Sequence, residues 1–326
     1  MRTIRCKGCG AILQNTNEDE MGYVNIIDES KPYCKRCFRL KHYNELPKIV
    51  ASKENYESVI DNVLKKNGLI IYVVDLLDLS STLIPSVIDK LRNKDVILVG
   101  NKYDVFPHST NPKAMVEKLS KMCEKKFFKV LAIHLVSSTK GYFLDDLMNT
   151  IDLARRGRDV YFLGCANVGK SSLINALLKA YSNENENLIT TSEFPGTTLD
   201  LIEIPLDEHS SIYDSPGIVN RHQIAHIVDE KELQNILPQS ELRPVNYQLN
   251  SQQTLYFGGL ARLDFITGER TSLVCYFHRR LQIHRTKLEK ADELYNRHMT
   301  LKPEPKEKRN IQSFKTFQFK LPKGKV

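Results

Sequence analysis

The sequence predicts an α/β fold built on a largely parallel sheet, with a small cysteine-rich module before it and a mostly β domain after it. Three observations carry this. Short apolar runs at 69–74, 96–99 and 132–136 alternate with helix-length segments, as buried parallel strands do. Two CxxC pairs lie within the first 37 residues. Beyond residue 221 the alternation gives way to β-type runs broken by Gly-Gly and Thr-Gly turns. The expected divisions are 1–45, 46–220 and 221–326.

The 326 residues are 41% hydrophobic and carry a net charge of +8, an ordinary globular composition that favours an anionic partner. The first ten residues hold no apolar core of a signal peptide, and the run at 69–74 meets Asp75 far short of a bilayer span. The reading is a cytoplasmic protein without a membrane partner, in which seven cysteines would not be expected to form disulfides.

Cys6, Cys9, Cys34 and Cys37 form CxxC-x24-CxxC, a spacing that lets two tight turns aim four thiolates at one tetrahedral zinc. Residues 23–27 suit a strand of a zinc ribbon. Arg5, Lys7, Lys35, Arg36, Arg39 and Lys41 crowd the cysteines, where they would lower thiol pKa values and meet phosphates. Two unrelated pairs, or a redox CxxC, is the metal-free alternative. Cys123, Cys165 and Cys275 have no partner at ligand spacing and read as buried thiols.

The strand at 69–74 should be followed by one helix to about residue 91, and the strand at 96–99 by Asn101-Lys102-Tyr103-Asp104. This is NKxD at a strand's carboxyl end, where ligands of parallel sheets bind. Asp104 would accept from the guanine ring N–H and exocyclic amine, which adenine does not present together. Asn101 would brace the loops, and the Lys102 stem would cover the purine. After the strand at 132–136, Ser137-Ser138-Thr139 stands where a backbone-donating base loop is expected.

The strand at 159–163 runs into Gly164-Cys165-Ala166-Asn167-Val168-Gly169-Lys170-Ser171, which fits GxxxxGK[ST] and opens a helix. Gly164, Val168 and Gly169 shape a loop of amides for phosphate. Lys170 would bridge the terminal phosphates, Ser171 would ligate Mg2+, and Ser172 would complete the cradle. Thr198, with Thr197 as its alternative, is the candidate switch threonine on Mg2+. Asp214-Ser-Pro-Gly217 fits DxxG, with Asp214 on Mg2+ and the Gly217 amide sensing the γ-phosphate. Ile218 stands where many such proteins carry a glutamine that orients water, so intrinsic hydrolysis should be slow. Asn167 resembles the P-loop asparagine that in several GTPase families helps hold a potassium ion against the phosphates, a role the resemblance would imply here; the alternative is a loop residue making local backbone hydrogen bonds. The base reader precedes the phosphate loop, the reverse of the usual order. The cassette is a GTP/GDP-binding P-loop domain, circularly permuted.

In the permuted order, the chain after Gly217 leaves for the C-terminal domain, so nucleotide state should reach that domain through residues 218–227. The cysteine module, entering at the other cut end, should sit away from the switches. The last 26 residues carry eight basic against two acidic side chains, interleaved with Phe314, Phe317 and Phe319. They suit RNA, where cations meet phosphates and rings stack on bases, or a final strand at 313–321.

With CxxC pairs, NKYD, SST, GCANVGKS, PGTT and DSPG in this order, the sequence resembles the YqeH family of circularly permuted GTPases. The departure is Ser138-Thr139 in place of the usual Ala-Lys. The resemblance implies an RNA-binding C-terminal domain like the trp RNA-binding attenuation protein. It also implies a role in assembly of the small ribosomal subunit, with ribosomal RNA or the pre-ribosomal particle as partner and no DNA. A second reading is an RNA placeholder in which nucleotide is mainly structural.

Overall fold

The computed structural model describes residues 4–7, 11–18, 22–28, 30, 33–35, 37–38, 50–51, 53–181, 201–218, 220, 223–297, 302–305 and 315–320. Two compact units divide the chain: Met1–Asp104 with Ser109–Asn220, and Val105–His108 with Arg221–Val326.

The first unit is built on a six-stranded sheet. Its elements in chain order are β1 (Val50–Ala51), α1 (Lys53–Leu64), β2 (Leu69–Asp75), α2 (Leu79–Thr82), α3 (Pro85–Leu91), β3 (Val96–Asn101), α4 (Pro112–Lys125) and β4 (Ala132–Leu135). There follow α5 (Leu144–Arg155), β5 (Val160–Gly164), α6 (Lys170–Tyr181), β6 (Ile202–Pro205), β7 (Ser211–Asp214) and β8 (Gly217–Ile218). The sheet order is β4-β3-β2-β5-β7-β6, parallel except for β6 against β7.

Every residue of β2, β3 and β5 is buried. That is why these strands are unbroken apolar runs: helices cover both faces, and each Ile, Leu or Phe placed there contributes about 1.5–3 kcal/mol. From β2 the chain winds outward through β3 to β4, returns through α5 to β5, then winds the other way. The reversal lies between the adjacent strands β2 and β5, and the crevice at their carboxyl ends is where such sheets bind ligands.

The single helix expected after Asp75 is two helices. Ile84 precedes Pro85, and the proline ring pushes it to extended backbone (φ −72°, ψ 122°). The buried Tyr72 hydroxyl takes up the groups released there, donating to the Thr82 carbonyl (2.7 Å) and accepting from the Ile84 amide (3.2 Å). The Asn111 side chain caps α4 by accepting from the Lys113 and Ala114 amides.

Two further expectations for this unit are corrected. Among residues 23–27, Tyr23 makes only an isolated bridge to Gln14, and the segment bends at residues 25–26 instead of running as a strand. The chain from the cysteine module does not enter away from the switches either. β1 pairs in parallel with β8, Val50 beside Gly217 and Ala51 beside Ile218.

The second unit carries α7 (Ile224–Ile227), α8 (Glu230–Leu233), β9 (Pro244–Leu249), β10 (Gln253–Phe257), β11 (Ala261–Phe265), β12 (Thr271–Tyr276), β13 (Ile283–Lys287) and α9 (Leu288–Arg297). β11-β10-β13 form one antiparallel sheet and β12-β9 a second. The turn between β10 and β11 uses Gly258 at φ +54°. Buried Tyr256 pins α9 to the first sheet, stacking on Tyr295 and donating to the Ala291 carbonyl (2.8 Å). Residues 315–320 are not a strand. They are exposed, with Phe317 and Phe319 stacked on each other and the Lys315 ammonium over Phe317. Phe314 lies outside the described residues.

Candidate functional site

The carboxyl ends of β3, β4, β5 and β7 meet at the crevice, and each delivers one motif. At the end of β5, a Cβ on Gly164 would stand 2.5 Å from the Val73 carbonyl oxygen, so β2 packs directly against the start of the phosphate loop. Gly169 has φ +87°, and a Cβ there would lie 2.3 Å from Asn101 Nδ2. Asn167 takes the left-handed conformation (φ +64°), which asparagine tolerates better than most residues. Its side chain is exposed at the loop and makes no hydrogen bond among the described residues.

Lys170 and Ser171 open α6. The Lys170 ammonium is ion-paired with Asp214 and also donates to the Ser215 carbonyl, while Ser171 Oγ donates to Asp214 Oδ2 at 3.3 Å. Lys170, Ser171 and Asp214 are 5%, 8% and 0% exposed, so a buried pair of opposite charges holds itself together with a neutral hydroxyl beside it. The same donor set suits a divalent cation beside phosphate oxygens, with Ser171 and Asp214 adjacent and a cation-bearing side chain at hand. Ser172, half-buried, follows on the helix, and Val168 is fully buried beneath the loop.

Gly217 lies against the loop, where an added Cβ would be 2.8 Å from Ala166 Cα. The Ala166 amide donates to the Ile218 carbonyl (2.7 Å), and Cys165 pairs with Ile218. The Ile218 side chain belongs to the hydrophobic core and presents no polar group to the crevice. Thr197 and Thr198 lie outside the described residues.

At the base end, Asn101 is fully buried and ties three segments together. Its Nδ2 donates to the Val168 carbonyl (2.9 Å) and to Ser138 Oγ (3.2 Å), while its Oδ1 accepts from the Ser138 amide (3.1 Å). Asp104 Oδ2 accepts from Thr139 Oγ1 (3.2 Å), and Thr139 Oγ1 lies 3.1 Å from Ser137 Oγ. The NKYD and SST strings therefore share one hydrogen-bonded platform, although 33 positions separate Asp104 from Ser137.

Asp75, which the motif reading passed over, also belongs here. Buried at the end of β2, it pairs with the Lys102 ammonium and fixes that side chain, whose backbone is left-handed (φ +70°). The sequence signal was available: a lone carboxylate closing a six-residue apolar strand.

In the cysteine module, the Sγ atoms of Cys6, Cys34 and Cys37 lie within 4.8 Å of one another and are buried, and the Cys34 amide donates to Cys6 Sγ (3.2 Å). Soft thiolates gathered in this way, with an amide directed at one sulfur, suit zinc. Cys9 lies outside the described residues. Among the described residues, only Leu13 and Val24 join the three cysteines in the buried core there, with Ile4, Ala11 and Tyr33 partly buried against it, so a metal would add cohesion to a small apolar cluster. Cys123 and Cys165 are buried as expected, and burial raises both thiol pKa values, Cys165 to about 12; Cys275 is half-buried.

Residues 159–252 match the family described as 50S ribosome-binding GTPase, and residues 270–325 match the family described as YqeH-like, C-terminal. The first match begins at the strand before the phosphate loop and leaves NKYD upstream of it, as a permuted domain requires. The protein named YqeH of Bacillus subtilis (strain 168) is 42% identical over 91% of this chain and 82% of its own length. The NO-associated protein 1, chloroplastic/mitochondrial, of Arabidopsis thaliana is 27% identical over 96% of this chain, which spans 64% of that relative's length. GTPase Der of Mycoplasma mycoides is 30% identical over 51% of this chain and 38% of its own length. Among the described residues, no helix is long and apolar enough to cross a membrane.

Proposed function

The chain belongs to the YqeH family, and from that premise we propose that it is a GTP-hydrolysing switch in ribosome assembly whose nucleotide state is coupled to RNA binding. The observation that carries the nucleotide reading is Asn101. One buried carboxamide bonds the phosphate loop at Val168 and the base loop at Ser138, so two motifs far apart in sequence form a single nucleotide-shaped crevice. Asp104 reads guanine; Lys170 and the loop amides hold the phosphates; Ser171, Asp214 and Thr198 serve Mg2+; and Gly217 reports the γ-phosphate. Hydrolysis is slow without a partner, because Ile218 offers no group to orient water. The exposed, uncommitted Asn167 side chain supports a potassium ion supplementing the charge on the phosphates. Cys6, Cys9, Cys34 and Cys37 hold zinc. The protein works in the cytoplasm.

The particle is argued from resemblance. The family likeness points to the small subunit, whereas the broader GTPase family's description names the 50S particle. Steady-state GTP hydrolysis, measured with isolated 30S and 50S particles in potassium and in sodium at matched ionic strength, separates these. Stimulation by 30S particles, greater in potassium, is expected. Stimulation by 50S particles alone reassigns the partner, and equal rates in the two salts remove the ion.

The second reading, an RNA placeholder with structural GTP, is favoured by the exposed Phe317–Phe319 stack with Lys315 beside it. RNA affinity independent of nucleotide would support it.

A further inference from the structure

The second unit contains a cavity of about 600 Å³ between residues 234–245 and the loop at 277–280. We propose that it is a binding site for single-stranded RNA, with a base on Phe277 and phosphates on Arg243, Arg279 and Arg280. The inference rests on the RNA-binding reading of this unit and gives it a location.

Charge is the first ground. Among the described residues, none of these three guanidinium groups has an ion pair or a side-chain hydrogen bond within the protein. Two other arginines of the unit are engaged, Arg262 with Asp264 and Asp292 and Arg285 with the Gln248 carbonyl, whereas exposed Arg270, away from the cavity lining, is free like these three among the described residues. Three cations against the single carboxylate of the lining leave a net positive potential around one concavity, which a polyanion relieves. The one carboxylate in the lining, Glu241, is engaged by His108, whose amide donates to it at 2.8 Å.

The second ground is the ring. Phe277 lies edge-on to Phe257 (centroids 6.1 Å) and tilted against Tyr247 (6.4 Å), so residues of both sheets fix its orientation. A half-buried ring held in this way is a stacking platform whose ordering cost has already been met. Directly after it, the Leu281 amide donates to the His278 carbonyl (2.9 Å), closing a turn that carries Arg279 and Arg280 side by side. Gln239, also in the lining, supplies amide donors and acceptors for a base edge. The volume falls within the roughly 300–1,000 Å³ range of small-ligand sites, the scale of one or two nucleotides. A concavity with one platform suits an unpaired, splayed strand; a duplex keeps its bases stacked on one another.

The test uses the full-length protein and fluorescein-labelled U12 RNA, with Kd followed by anisotropy at several salt concentrations. The Arg243→Gln/Arg279→Gln/Arg280→Gln variant should bind at least tenfold more weakly. Its slope of log K against log salt should be shallower by about 2, as expected for three lost single-strand phosphate contacts. Phe277→Leu should weaken binding severalfold without changing the slope, and GTP hydrolysis without RNA should be unchanged in both. Arg279→Gln alone, expected to lose about threefold, serves if the triple variant melts early.

Wild-type binding that survives the arginine changes but is lost in a Lys315→Gln/Phe317→Ala/Phe319→Ala variant overturns the cavity site and leaves the RNA reading standing. Failure of the wild type to bind U12 in any nucleotide state overturns both. Arginine-dependent binding of a polyglutamate peptide in place of U12 overturns the choice of occupant.

Discussion

The phosphate end and the base end of the crevice are built from different physics. At the phosphate end, Lys170 and Asp214 are buried and oppositely charged, so removing either leaves an uncompensated partner, and the buried Ser171 hydroxyl bonds the same carboxylate. At the base end, Asp104 is only part-buried and accepts from a neutral hydroxyl, Thr139 Oγ1. On the proposed reading, the first arrangement supplies affinity for any nucleoside triphosphate, and the second discriminates between bases while contributing modestly to binding. Asn101 holds the two ends at a fixed separation. An interaction that discriminates must be easily lost to the wrong ligand, whereas one that anchors must be expensive to break.

The largest effect should come from breaking the anchor. Lys170→Ala removes the cation from a buried pair and strands Asp214, a change on the order of 3–5 kcal/mol. Fluorescent GDP titration should show affinity falling more than 100-fold, with a lowered melting temperature in nucleotide-free protein. Retention of near-normal GDP affinity would mean that the loop amides alone carry the phosphates and that the contrast between the two ends is overstated.

At the discriminating end, Asp104→Asn should cost about 1–3 kcal/mol in GTP binding. It should also raise xanthosine triphosphate affinity, because an amide donor can meet the xanthine carbonyl. Protein stability should hardly change, since the Thr139 hydroxyl can bond the new amide as it bonded the carboxylate. Competition of GTP, XTP and ATP for one labelled nucleotide measures this. If ATP competes as well as GTP against the unaltered protein, Asp104 is not the base reader.

What was legible in the sequence follows the same division. Strands β2, β3 and β5 announce themselves because complete burial leaves no polar position to disguise the run, and the motifs stand where those strands end. The permuted α/β fold and the antiparallel C-terminal region were therefore readable, and relatives bear out the family. Contacts made by backbone rather than side-chain pattern were hidden. The break at Pro85 depends on a proline inside an otherwise helical stretch, where a kink and a boundary look alike. The loss of a strand at 23–27 reflects a module organised by cysteines rather than by sheet pairing. Asp75 lies outside every motif, and only the fold brings it to Lys102. The pairing of β1 with β8 joins residues 167 positions apart, with no side-chain signature.

That pairing gives the smallest effect and a direct check on how the switch is tethered. β8 begins at Gly217, the residue whose amide should meet the γ-phosphate, and it is held from two sides. Ala166 of the phosphate loop donates to Ile218 on one side, and β1 lies along the other. A shift of Gly217 toward phosphate must therefore carry β1 with it or break the β1–β8 ladder. Since β1 follows the cysteine module, either outcome links that module to nucleotide state. Backbone hydrogen bonds contribute about 0.5–1.5 kcal/mol net, and only part of this differs between the two states. Replacing Val50 and Ala51 by proline removes both amides of β1. GDP affinity should stay within twofold, while the ratio of GTP-analogue to GDP affinity should change by a few-fold, corresponding to about 1 kcal/mol or less. Stripping metal with a chelator should move the same ratio in the unaltered protein and leave the proline variant unmoved, because its connection is already cut. An unchanged ratio in both experiments would mean that β1 follows β8 without resisting it, and that the cysteine module has no part in sensing the nucleotide.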